Sequence, residues 1–247
     1  MDEDRYTALC ERIIEHCRRN GWYGPDEPPA GYGGYGYEQG TPRGGRIAHD
    51  YRSGFAFSPA TDEQLRETEA VMGFAHPPCL RALYLRVANG GFGPTTGLTG
   101  AFGGFCASVH KDPRYIGMMK ESLLKEHGEQ CREWYPHIFN ELPFDLVRYE
   151  ETHRHYRYIR LAPRVWPTHF LHLCNGDYEE AFYLHALSGR VYLVTAGGGI
   201  TPDGEEGFTV LHRQANSLEE WLERWLDGTL TTLYIRPEYR YKASNID

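Results

Sequence analysis

No apolar run in the sequence exceeds four residues, Ala181–Leu184 being one of the longest. A membrane-spanning helix needs about 20, so membrane residence is not expected. The six cysteines, at positions 10, 17, 79, 106, 131 and 174, form no C-x-x-C pair and no small-domain spacing. That excludes a zinc-finger or disulfide framework and points to reduced thiols in a cytoplasmic protein. The acidic opening MDEDRYTALC lacks the apolar stretch of a secretory signal. Positive charge is also in short supply, 26 Lys and Arg against 34 Asp and Glu, a net charge of −8. Such a field repels phosphates, which argues against direct nucleic-acid binding or an anionic membrane surface and in favour of a basic partner.

Signatures of catalysis are missing as well. There is no G-x-S-x-G, no phosphate-binding P-loop and no H-E-x-x-H. The stretch Gly31-Tyr32-Gly33-Gly34-Tyr35-Gly36 satisfies G-x-G-x-x-G by letter. A dinucleotide site needs a strand before it and a helix after it, and neither flank has apolar periodicity. No cofactor is expected, and the protein is read as a non-enzyme.

What the chain does contain is enough apolar material for a sizeable core. At 247 residues it fits one large domain or two small ones, and it needs neither disulfide nor metal to fold. Tyr6, Leu9, Cys10, Ile13, Ile14 and Cys17 form one helical stripe, stopped by Asn20-Gly21. Residues 24–46 then hold eight Gly and four Pro, the composition of a loop or linker. From residue 58 the signals sharpen. Thr61 and Gln64 predict a capping box on a helix stopped by Gly73. Pro77-Pro78 open a second helix, taken to end at Asn89-Gly90-Gly91. A weaker helix is predicted from Pro113 to Glu126, with helical character extending toward Phe139.

The next third reads as strands: Tyr156–Leu161, Thr168–Cys174, Ala181–Ala186, Val191–Thr195 and Phe208–His212. The Leu187–Arg190 stretch has the composition of a hairpin turn. A second capping box, Ser217 with Glu220, begins a closing helix carrying Leu218, Trp221, Leu222 and Trp225. Helices followed by strands and a final helix, without alternation, predict an α+β fold with an antiparallel or mixed sheet packed on short amphipathic helices. The division expected is a helix at 1–21, a Gly/Tyr/Pro-rich linker or loop at 22–57, a domain at 58–235 with an insertion in 92–155, and a tail at 236–247.

Glu69, Gly73 and Pro77, followed by Asn89-Gly90-Gly91, then Gly176 after a strand, a Ser-Gly hairpin and the closing Ser217–Leu222 helix, resemble the SMI1/KNR4 family of the SUKH superfamily. The resemblance spans roughly residues 58–228. It implies an α+β fold and, in bacteria, an immunity protein that binds and neutralises a cognate polymorphic toxin domain, often a nucleic-acid-targeting one. Eukaryotic relatives act as regulatory scaffolds, and a non-toxin partner is the alternative within the same fold. The family has no shared catalytic residues to carry over.

Three constellations remain. His153, His155, His169 and His172 lie close in sequence and raise the alternative of a metal-dependent hydrolase, though no ligand spacing supports it. Arg148 to Arg164 holds five arginines with interleaved tyrosines, read as a solvated strand face. The acidic groups Asp177, Glu179, Glu180 and Asp203, Glu205, Glu206 read as exposed loops able to meet Lys and Arg of a basic partner, with Tyr32, Tyr35 and Tyr37 as aromatic contacts. The oligomeric state is left open.

Overall fold

The computed structural model describes residues 3–20, 36–38, 41–43, 57–95, 97–105, 116–139, 141–153, 158–162, 164–176, 180–196 and 209–230. Its helices are α1 (Thr7–Asn20), α2 (Asp62–Met72), α3 (Pro78–Arg86), α4 (Ile116–His127), α5 (Cys131–Trp134), α6 (Pro136–Phe139), α7 (Leu146–Thr152) and α8 (Leu218–Leu226). Its strands are β1 (Gly36–Glu38), β2 (Thr41–Arg43), β3 (Leu142–Phe144), β4 (Tyr158–Leu161), β5 (Val165–Pro167), β6 (Phe170–Asn175), β7 (Glu180–His185), β8 (Val191–Ala196) and β9 (Thr209–Ala215). The fold is α+β. The main sheet is antiparallel throughout, in the order β4-β9-β8-β7-β6.

Strand side chains alternate between faces, and here both faces are buried. Val191, Leu193, Phe182, Leu184 and Leu171 join a first core with α1, α3 and α8. Tyr192, Val194, Ala181, Tyr183 and Phe170 join a second, closed by Leu146 of α7 and Trp166 of β5. Strict alternation would send Cys174 to the second face. A register shift between His172 and Cys174 intervenes, and both Leu173 and Cys174 enter the first core.

Helix α1, set apart in sequence by the Gly/Pro-rich stretch, is not set apart in space. Leu9, Cys10, Ile13 and Cys17 are buried in the first core. Arg12 pairs with Asp227 at 3.0 Å and Glu223 at 3.8 Å, and Arg5 with Glu219 at 3.7 Å. Exposed pairs contribute at most about 1 kcal/mol each, whereas each buried aliphatic side chain contributes roughly 1.5–3 kcal/mol, so apolar packing holds α1 in place.

The capping box at Thr61 forms as expected: Thr61 Oγ1 accepts the Gln64 N–H and Gln64 Oε1 accepts the Thr61 N–H. Gly73 ends α2 at φ +78°. At α8 only half of the expected box is present. Ser217 Oγ accepts the Glu220 N–H, but the Glu220 carboxylate accepts instead from Asn216 N–H, one residue earlier.

Several expectations need correction. Helix α3 ends at Arg86 with Val87 as its cap, so Asn89-Gly90-Gly91 is not the helix terminus. Residues 36–38 and 41–43, read as loop, pair as antiparallel strands. Arg148 lies on α7 rather than on a strand, because Asp145 accepts the Arg148 N–H and starts a helix there. The parallel pair β3–β5 was not expected; each strand is three residues long and carries a proline, too short for a period to register. Within the expected insertion, α4, α5 and α6 close over a small core of their own: Leu123, Cys131, Ile138 and Phe139.

Candidate functional site

Of the residues that carried the family resemblance, Asn89, Gly90 and Gly91 lie in the stretch after α3. Asn89 is 3% exposed and organises it. Its Oδ1 accepts the Ala101 N–H at 2.7 Å and its Nδ2 donates to the Phe102 carbonyl at 3.1 Å. Its own N–H donates to the Ser58 carbonyl, and its carbonyl accepts the Phe105 N–H, both at 2.9 Å. One residue, through backbone and side chain together, thereby ties the start of the domain to the loop 97–105. Two glycines are needed to let that loop come so close. A Cβ at Gly100 or Gly104 would lie 2.2 or 2.3 Å from the Asn89 carbonyl oxygen. Gly90, at φ +80°, is equally confined: a Cβ there would lie 2.5 Å from the Gly100 nitrogen.

Thr95 and the same loop seal one edge of the sheet. Thr99 N–H donates to the Leu173 carbonyl at 2.6 Å, and the Thr95 hydroxyl donates to the Asn175 carbonyl. Both acceptors belong to β6, an edge strand whose open carbonyls would otherwise template pairing with another chain. Thr99 Oγ1 lies 3.0 Å from His172 Nδ1, and His172 Nε2 lies 3.2 Å from Asn175 Oδ1. The Tyr84 hydroxyl donates to the Thr99 carbonyl. Buried polar groups of this kind stabilise when satisfied and cost heavily when not.

Glu69 anchors the other end. Its Oε1 accepts from His76 N–H at 3.0 Å and Arg81 at 3.2 Å, and lies 3.1 Å from His76 Nδ1. Burial alone would raise its pKa, but the hydrogen bonds from His76 and the Arg81 charge outweigh it and hold the carboxyl below its ordinary range. Glu69 lies four residues before the Gly73 stop, and Pro77 precedes α3, so the motif fixes the α2–α3 turn.

The remaining candidates are dispersed. His153 caps the end of α7, exposed and stacked on Tyr149 at 4.2 Å. His172 is buried in the network just described. His169 sits in the turn before β6 at φ +59°, its Nδ1 buried without a partner, against Phe74 at 5.2 Å. His155 lies outside the described residues. Among the described residues, no group of three or more His, Cys, Asp and Glu is placed to hold a metal ion. Of the acidic residues, Glu180 begins β7, and its carbonyl accepts the Gly176 N–H at 2.9 Å. Asp177, Glu179, Asp203, Glu205 and Glu206 lie outside the described residues, as do Tyr32 and Tyr35; Tyr37 falls in β1.

Sequence reasoning missed Thr95, Thr99, Gly100, Gly104 and His76. A signal existed in the five glycines between residues 93 and 104, a density that marks close backbone approach. It was assigned to an insertion.

A family model, SMI1 / KNR4 family (SUKH-1), matches residues 59–224, two-thirds of the chain. The chain belongs to the SMI1/KNR4 family. The match begins two residues before the Thr61 cap and ends within α8, so it takes in the Asn89 loop and the main sheet and leaves out α1, which nevertheless packs in the same core. No curated protein and no solved structure matches the chain significantly. Glu69, Asn89 and Gly90 are each engaged in holding the α2–α3 turn or the loop 97–105.

Proposed function

We propose that this protein is a non-enzymatic immunity protein, acting in the cytoplasm by binding a cognate toxin domain and covering the surface that domain uses on its target. The observation that carries the reading is family membership over residues 59–224. The SUKH family is known for immunity proteins that are generally non-catalytic. The net charge of −8 favours a basic partner, as a nucleic-acid-targeting toxin would be. Asp177, Glu179, Glu180, Asp203, Glu205 and Glu206 are the residues proposed to meet its Lys and Arg, with Tyr32, Tyr35 and Tyr37 as aromatic contacts. No described helix is long and apolar enough to cross a membrane, and the partner is taken to be a protein.

The test is co-expression with the toxin domain encoded beside this gene. The expected result is restored growth and a stable complex on co-purification. Failure to protect, together with no binding to that domain, overturns the reading. A second measurement separates the electrostatic part. Association should slow markedly at ~0.5 M salt, where the screening length falls well below ~10 Å. Charge reversal at Asp203, Glu205 and Glu206 should lower the association rate more than it shortens the complex lifetime. An association rate indifferent to both refutes the acidic contact.

A further inference from the structure

The second face of the sheet is lined with aromatic rings. Trp166 lies edge-on to Phe170 at 5.8 Å and to Tyr183 at 5.3 Å, and Phe170 stacks on Tyr183 at 5.5 Å. Helix α7 closes over them, yet Leu146 is its one fully buried apolar side chain. Tyr149 is partly buried against the same core, and the remaining attachment is polar. The Glu150 carboxylate, 10% exposed, accepts the Tyr192 hydroxyl at 2.5 Å and pairs with the Arg190 guanidinium. Beneath it lies His185, on the same face as Ala181 and Tyr183 and 1% exposed. Its Nδ1 is 2.9 Å from Ser188 Oγ.

The groups around this imidazole come from every element packed on it. Glu150 and Asp145 belong to α7 and its cap, Arg190 to the hairpin, and His169 to the turn before β6. We propose that α7 is a strap clasped to the sheet through Glu150, Arg190 and Tyr192, and that acid releases it and uncovers the aromatic face.

The direction follows from where protons go. Protonation of His185 places a cation beside Arg190 in a site without room for its hydration. Burial, the larger effect, holds the His185 imidazole neutral down to about 4, against an ordinary value of 6.5. A strap that opens restores the ordinary value, so between those limits falling pH favours the open form. If His185 becomes fully solvated on opening, the opening equilibrium shifts ~60-fold between pH 7 and pH 4.5. The Tyr192 phenol, its pKa pushed up by burial and by Glu150, stays a donor throughout this range.

Hydrogen exchange of the full chain from pH 7 to pH 4.5, corrected for the intrinsic pH dependence of exchange, tests this. Residues 146–152 should lose protection tens of fold more than β8. His185→Gln should flatten that dependence, and Glu150→Gln should lower the protection of 146–152 already at pH 7. Arg190→Met provides an independent opening of the clasp at neutral pH should His185→Gln not fold. Loss of protection in 146–152 and β8 together, at one midpoint, overturns the proposal. So does a full pH dependence in His185→Gln, or an unchanged strap in Arg190→Met.

Discussion

Replacing Asn89 by Asp changes one atom group and preserves the shape. The Oδ1 acceptor for Ala101 N–H survives, but the Nδ2 donor becomes an oxygen facing the Phe102 carbonyl across 3.1 Å. Two acceptors then oppose each other at a position 3% exposed, and a carboxylate there must stay charged without a cation or take up a proton. Replacing Asn89 by Ala is less hostile but leaves the Ala101 N–H unpaired at a residue with no exposure. That donor costs about 1–3 kcal/mol, and the lost bond to Phe102 adds about 1 kcal/mol. The expected destabilisation is therefore about 2–4 kcal/mol for Asn89→Ala and at least as much for Asn89→Asp at pH 7. For a domain with a typical stability of about 5–15 kcal/mol this is a large fraction. Urea unfolding followed by tryptophan fluorescence measures it, provided the m-value is unchanged. An Asn89→Asp variant within about 0.5 kcal/mol of wild type would refute the hydrogen-bond account and leave Asn89 as a shape-filling residue.

Two glycines separate strain from collision. Gly73→Ala, at φ +78° in open space, should cost about 1 kcal/mol through left-handed backbone strain alone. Gly104→Ala should cost well over that, about 3 kcal/mol, because its Cβ meets the backbone of Asn89; equal losses by thermal unfolding would refute the close-approach reading. At Trp221, fully buried against Phe182, the indole Nε1 has no hydrogen-bond partner. Trp221→Phe removes that orphaned donor and should cost under about 1.5 kcal/mol, against about 3–5 kcal/mol for Trp221→Ala. Similar losses in the two variants would show that ring volume alone matters there.

The stripe of α1, the Thr61 cap, the Gly73 stop and the strands from β6 to β9 were legible in the sequence. Each depends on residues within a few positions of one another: an N–H capped three residues away, a period of 3.6 or 2. The family was legible for a related reason, since its motif places such local signals in a fixed order. The purpose of Asn89 was not legible. Its spacing after α3 looks like a helix stop, and only the return of the chain at 97–105 supplies the partners that make it a hub. Likewise nothing near Glu150 announces Arg190, 40 residues on, or that α7 would lie on a sheet face instead of continuing a strand. Nor does the Gly/Pro-rich stretch reveal that α1 returns to the core it precedes. Local sequence decides which hydrogen bonds the backbone can make with itself. Which buried polar groups must be paired, and by whom, is decided only when burial removes water and distant segments become the remaining partners.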